Sequence, residues 1–282
     1  MSGGIEKVSA IFTARKKSPS NAASTGLETP DAGLSQNGPV ENVSVRGNGK
    51  KKAGWLSPDY CQSRTFHLDP GLIEANRCLA YLDSVPGAEA YRILRTQILQ
   101  RTRSTGGNLI MVTSVLPGEG KTLTAINLAF TFAREYQHTV LLLDGDLKKQ
   151  SIHKYLGCNG DRGLIDYLLD GAHVPELITY PGIEKMTLIS GGRSYKESAE
   201  ILGSPRMREL ISDMKGRYPE RYAIIDAPSI LTGADVLTLA PLVDHVIVVV
   251  RQGKTSMDDA RKAIKFLPKE KVLGFVLNRC NK

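Results

Sequence analysis

The sequence predicts an α/β fold, a mostly parallel sheet flanked by helices on both faces and preceded by a disordered N-terminal extension. Three observations carry that expectation. From Gly107 onward, short β-rich runs alternate with helical patterns, an order that right-handed crossovers turn into a parallel sheet. Where several of these runs end, the chain carries a glycine-containing turn or an aspartate. Before about Arg64, Ser, Asn, Gly, Ala and Pro dominate and apolar periodicity nearly vanishes, so that stretch cannot bury enough surface to offset chain entropy.

Taken in order, residues 1–12 read as a short amphipathic segment, with Ile5, Val8 and Ile11 or Phe12 at helical spacing. Residues 13–65 read as a disordered linker, and the Lys50–Lys51–Lys52 run inside it as a solvated charge cluster. Residues 66–282 are expected to form one domain with a helical lead-in over 70–103. Pro70–Leu82 places Leu72, Ala75, Leu79 and Leu82 in register, and Gly87–Arg101 places Tyr91, Leu94 and Ile98 on one stripe. The expected strands are Leu109–Ser114, Val140–Asp144, Met186–Ser190, Tyr222–Asp226, Val246–Val250 and Val272–Leu277. Helical patterns between them include Leu123–Arg134, Pro205–Lys215 and Met257–Phe266.

Composition narrows the classes of function. With 282 residues, 41% hydrophobic and 23% charged, the chain is an ordinary globular one, neither fibrous nor wholly disordered. The longest apolar runs, such as Val246–Val250, fall far short of the roughly 20 residues that cross a bilayer. Glu6 and Lys7 interrupt any signal-peptide core. Cys61, Cys78, Cys158 and Cys280 form no CxxC pair, which points to a reducing cytoplasm. A formal charge of +8 suits phosphate-rich ligands, nucleic acid or an anionic membrane face. With no helix-turn-helix or basic helix, nucleic acid is not expected.

The chemistry concentrates at three strand ends. Between the first expected strand and its helix stands Ser114-Val-Leu-Pro-Gly-Glu-Gly-Lys-Thr122, the layout of a nucleotide P-loop. Its glycines let backbone amides turn toward phosphates, and the helix adds its positive N-terminal end. Pro117, Gly118, Glu119, Gly120, Lys121, Thr122 and Leu123 are the candidate nucleotide cradle. Lys121 would bind the β- and γ-phosphates and Thr122 a magnesium ion. The general pattern wants glycine where this chain has Val115. Asp144 and Asp146, in Leu141-Leu-Leu-Asp-Gly-Asp-Leu-Lys-Lys149, would face the crevice at the strand end and hold Mg²⁺ or accept a proton. Asp226 ends Tyr222-Ala-Ile-Ile-Asp226, a Walker B pattern whose carboxylate reaches the metal.

Together, Pro-Gly-Glu-Gly-Lys-Thr, Leu-Leu-Leu-Asp-Gly-Asp-Leu-Lys-Lys and Ile-Ile-Asp-Ala-Pro resemble the bacterial tyrosine kinase family, the autokinases of exopolysaccharide and capsule loci. Gly163-Leu-Ile-Asp-Tyr-Leu-Leu169, Ile189-Ser-Gly-Gly192, Glu200-Ile-Leu202, Val249-Val-Arg-Gln-Gly253 and Gly274-Phe-Val-Leu-Asn278 add to the likeness, which runs from about Ala88 to the C-terminus. It is strongest to the autokinases of exosortase-linked loci. The resemblance implies a non-specific protein-tyrosine (auto)kinase dependent on ATP and Mg²⁺, with a P-loop NTPase fold, regulating polysaccharide synthesis or export. It makes Thr122, Asp144 and Asp226 the metal set. Lys121, Asp144, Asp146 and Asp226 become the catalytic set, with one of the two Walker A′ aspartates, Asp144 and Asp146, activating the tyrosine hydroxyl, and Asn278 lies near adenine. Glu89, Arg92 and Arg95 match an ExxRxxR motif that joins subunits into a homo-oligomer. The implied partner is the cytoplasmic segment of a membrane copolymerase or chain-length protein, which would recruit a cytoplasmic chain to the inner membrane.

Several positions depart from the family pattern. Gln150 replaces a frequent proline, Lys148 a frequent arginine, and Ala227-Pro-Ser229 the common Thr-Pro-Pro. The last tyrosine is Tyr222, so the family's C-terminal tyrosine cluster has no counterpart here, and Tyr60 is the only tyrosine of the expected linker. The alternative reading is a nucleotide-switched ATPase scaffold resembling partitioning and division-site ATPases. Those carry a signature lysine early in the P-loop, where this chain has Leu116 and Pro117.

Overall fold

A computed structural model describes residues 11–15, 64–82, 87–216 and 220–280. Its nine strands are β1 (Ile11–Arg15), β2 (Arg64–Thr65), β3 (Leu109–Ser114), β4 (Thr139–Asp144), β5 (Ile178–Tyr180), β6 (Met186–Ile189), β7 (Arg221–Ser229), β8 (His245–Arg251) and β9 (Val272–Cys280). They form one sheet in the order β1-β9-β8-β3-β7-β4-β6-β5-β2. Every neighbouring pair is parallel except β5–β6, which is antiparallel. The apolar alternation of the central strands divides the core in two. Leu109 and Met111 of β3 join one cluster, while Ile110 and Val112 join the other, as the two-residue period of a strand requires.

Helices α1 (Pro70–Ala75), α2 (Ala88–Thr105) and α3 (Lys121–Ala133) pack on one face. There the Tyr91–Leu94–Ile98 stripe of α2 is buried, as its spacing predicts. Short helices α4 (Ile152–Leu156), α5 (Leu164–Asp170), α6 (Val174–Leu177) and α7 (Ser198–Leu202) follow β4 and β6. Helices α8 (Pro205–Gly216), α9 (Asp235–Leu239) and α10 (Met257–Ile264) complete the chain, with α5, α8, α9 and α10 supplying the second face.

Two expectations need correction. The helix expected over Pro70–Leu82 stops at Ala75. Arg77 N–H bonds Glu74 O and Cys78 N–H bonds Ile73 O, with Arg77 in the left-handed region at φ 60°, a Schellman-type ending. Asn127 of α3 holds the turn, accepting from Ala80 N–H at 2.8 Å and donating to Arg77 O at 3.2 Å. A tertiary contact thereby overrides local periodicity. At the N-terminus, Ile11 and Phe12 lie in a strand, not a helical turn, because the open edge of β9 offers unpaired backbone groups for β1 to bond. The expected linker is therefore bounded by strands, β1 running into residues 13–15 and β2 occupying 64–65. Lys50–Lys52, Tyr60 and the rest of residues 16–63 lie outside the described residues, as do residues 1–10.

Candidate active site

The sheet order explains why the three motifs meet. Strand β7 lies between β3 and β4, and Asp226 pairs with Asp144 across β4–β7 and with Val112 across β3–β7. The turn after β3, the carboxylates ending β4 and the aspartate within β7 thus share one crevice at the strands' C-terminal ends, the usual ligand edge of a parallel sheet.

The loop after β3 is held from behind. Gly118 (φ 77°) and Gly120 (φ 97°) adopt left-handed backbone, and a Cβ on Gly120 would collide with the Asn278 amide. Val115 needs no such conformation. It is buried, its N–H bonds Val249 O, and its carbonyl accepts from Leu231 N–H, so both its backbone groups are satisfied just past the end of β3, where the general pattern has glycine. Glu119 is fully buried. One of its oxygens accepts from Leu116 N–H at 2.8 Å, the other from the Thr255 hydroxyl, and its carbonyl accepts from Asn278 Nδ2 at 2.8 Å. Lys254 donates to Pro117 O at 3.2 Å. The Glu119 side chain is therefore a brace turned into the protein, and Asn278 stands behind the loop.

The charged centre is compact. Lys121 Nζ lies 2.8 Å from Asp146 Oδ2 and 3.6 Å from Asp226 Oδ1, and the Thr122 hydroxyl donates to Asp226 Oδ2 at 2.6 Å. Asp144 spends its oxygens on backbone: Oδ2 accepts from Ser151 N–H at 3.0 Å and Ile152 N–H at 3.1 Å, Oδ1 from Asp146 N–H at 3.3 Å. Burial pushes the Asp144 carboxyl up to about 7, helped by the neighbouring Asp226 charge and opposed by those amides and Lys121. Burial also lifts Asp226 to about 6, against the Lys121 charge and the Thr122 bond. At Lys121 burial disfavours the ammonium, but the Asp226 and Asp146 charges outweigh it and raise its pKa.

A divalent cation fits this centre. Asp226 Oδ1 is buried and accepts no hydrogen bond among the described residues, and the Thr122 hydroxyl lies beside the same carboxylate. No cluster of three His, Cys, Asp or Glu side chains suited to a metal occurs among the described residues.

The structure does not bring Glu89, Arg92 and Arg95 to the crevice. Glu89 and Arg92 form an exposed ion pair of 2.8 Å on α2. Arg95 donates to Thr131 O at 2.6 Å, near the end of α3 and about 15 Å along that helix from Lys121. Residues that the motifs did not flag are Thr255, Lys254 and Ser151. The clue to the first two was their place in the turn after a strand that ends beside the loop.

Comparison with known proteins agrees with this geometry. A family model described as "ParA: NUBPL iron-transfer P-loop NTPase" matches residues 106–281. The tyrosine-protein kinase YwqD of Bacillus subtilis is 33% identical over 193 residues, covering 68% of this chain and 80% of that protein. The succinoglycan biosynthesis transport protein ExoP of Rhizobium meliloti is 29% identical over 68% of this chain, which spans only 25% of ExoP. The crystal structure of the VpsO kinase domain superposes with a TM-score of 0.63 at 28% identity, covering 74% of this chain and 98% of that one. A P-loop fold, a nucleotide cradle of this build and a relative of this extent together have one meaning: the chain belongs to the bacterial tyrosine-protein kinases, within the ParA-type P-loop NTPases.

Proposed function

We propose that the chain transfers the γ-phosphoryl group of ATP, with Mg²⁺, to a tyrosine hydroxyl in a system controlling exopolysaccharide or capsule synthesis. The observation that carries this reading is the Lys121 ammonium held between Asp146 and Asp226 at the mouth of the phosphate loop. Phosphoryl transfer needs mainly positioning and charge neutralisation. Lys121 would swing from Asp146 to the β- and γ-phosphates, while the amides of Gly118 to Thr122 and the N-terminus of α3 take the remaining phosphate charge. Thr122 and Asp226 would hold the magnesium ion, which when bound neutralises charge on the phosphate oxygens. Released from Lys121, Asp146 would accept the proton of the incoming tyrosine. Asp144, tied to three backbone amides, fixes the turn that carries Asp146 and would lie on the metal side of the site. Asn278, behind Glu119 and Gly120, would border the adenine.

Glu89 and Arg92, exposed on α2, would join copies of the chain into a homo-oligomer, and Arg95 would anchor that surface to α3. The remaining partner is the cytoplasmic segment of a membrane polysaccharide protein, bringing the chain to the inner membrane. The acceptor is on another protein, or at Tyr60 where the chain labels itself. Match to a ParA-type family favours one second reading, ATP hydrolysis without tyrosine transfer. Incubation with γ-labelled ATP separates the two: label on protein tyrosine is the expected result, and released phosphate with unlabelled protein would reject the kinase.

A further inference from the structure

We propose that the C-terminal end of α10 and the turn after it form a binding face for an anionic lipid surface. Helical hydrogen bonding continues past Ile264, with Lys265 N–H to Lys262 O, Phe266 N–H to Ala263 O and Leu267 N–H to Ile264 O. Ala263 and Leu267 point into the core and are buried. Lys262, Lys265, Phe266 and Lys269 lie on the outer side and are exposed, the phenyl ring to 51%. A single exposed apolar side chain is unremarkable on its own. This one shares its side of the helix end with three lysines whose side chains make no hydrogen bond or ion pair among the described residues.

The neighbouring cations show what a structural role looks like. Lys271 donates to Pro241 O at 2.6 Å and Val243 O at 2.8 Å, and Arg261 pairs with Asp258 at 3.3 Å. Lys262, Lys265 and Lys269 do neither. A protruding aromatic ring flanked by long cationic stems is the chemistry that enters the headgroup layer, with the ring at the acyl boundary and ammonium groups among lipid phosphates. The seat is rigid, because Lys271 pins the turn to the loop before β8. Topology sets the orientation. Strand β8 ends at the crevice, α10 runs back along the sheet, and the patch sits where β8 and β9 begin. It therefore lies at the opposite end of the strands from Lys121, at least a strand length of roughly 20 Å away. A lipid surface on this face leaves the nucleotide mouth open. This goes beyond the kinase reading and does not depend on it.

The test is co-sedimentation of the full chain with vesicles of phosphatidylcholine, with or without about one third phosphatidylglycerol. Binding to the anionic vesicles alone, weakening with salt, is expected. Each lysine near such a surface is worth roughly fivefold in partitioning, so Lys262→Gln with Lys265→Gln and Lys269→Gln should reduce binding at least tenfold. Phe266→Ser should reduce it severalfold and leave the salt dependence intact. Lys154→Gln with Lys196→Gln and Arg208→Gln removes the same charge from other exposed positions and should change binding by less than about twofold. Absence of binding by the parent, or equal losses in the two triple variants, would overturn the proposal. So would loss of capture of an immobilised acidic peptide with vesicle binding unchanged. ATP turnover measured on the same preparations should be the same in the parent and the patch variants. Failure of the kinase reading would appear there and not in the pellet.

Discussion

The two ends of the parallel strands use the same residue types in opposite ways. Where the strands begin, Lys271, Asp244 and Lys215 spend their charges largely on backbone. Lys271 holds Pro241 O and Val243 O, Asp244 Oδ2 accepts from Asn108 and Leu109 N–H at 3.1 Å each, and Lys215 spans Leu242 O and Asp244. Where the strands end, Lys121, Asp146 and Asp226 meet one another under burial, and one Asp226 oxygen has no hydrogen bond. The first arrangement closes the fold. The second leaves the Asp144 and Asp226 carboxyl groups at about 7 and about 6, an electrostatic cost that a bound cation would relieve.

Lys121→Met should break this difference most severely. Nucleotide-dependent activity should fall at least about a hundredfold. The ligand-free protein should lose roughly 3 kcal/mol, because the carboxylates lose their cation. The pH sign follows from the raised carboxyl values. Folded-state pKa values of about 7 and 6 against an ordinary 3.8 mean that the folded state keeps protons the unfolded chain has released, so ionising these groups costs stability as pH rises through that window. The stability gap between parent and Lys121→Met, read by denaturant titration, should therefore widen from about pH 5.5 to 8. A gap independent of pH would mean that Lys121 does not compensate these carboxylates.

Glu119→Gln tests the brace behind the loop. An amide cannot accept from both Leu116 N–H and the Thr255 hydroxyl, so nucleotide affinity should drop about tenfold with roughly 1–2 kcal/mol of stability lost. At the other end, Lys271→Met should cost about 1–2 kcal/mol through two carbonyls left without a donor, with turnover per folded molecule unchanged. Arg92→Ala should shift stability by less than about 0.5 kcal/mol, since the pair with Glu89 is exposed, while lowering self-association by light scattering. An unaltered oligomer would remove Arg92 from the interface.

The residues that meet in the crevice were legible in sequence because each motif is local: a loop read as Gly-Lys-Thr, and aspartates closing apolar strands. The six central strands were legible for the same reason, as burial on both faces makes them nearly continuous apolar runs. Elements decided by tertiary contacts were not. The break at Asn76 depends on Asn127, fifty residues away in sequence. Strand β1 depends on an open edge of β9, and α4, α6, α7 and α9 are too short to establish a helical period. Thr255 and Lys254 lie more than 130 residues from the loop they hold, and only the adjacency of β8 to β3 brings them there. Glu119 looked like part of the nucleotide cradle. Its side chain instead supports the cradle from inside.

Thermal unfolding with and without Mg-ATP tests the contrast between the two ends most directly. At about a hundredfold excess over Kd, ligand linkage is worth about 2.7 kcal/mol, or roughly 5–10 °C for a domain of this size. The parent should show that shift. Lys271→Met should start lower and shift equally, and Lys121→Met should shift little or not at all. An undiminished Mg-ATP shift in Lys121→Met would contradict the assignment of this crevice as the nucleotide site.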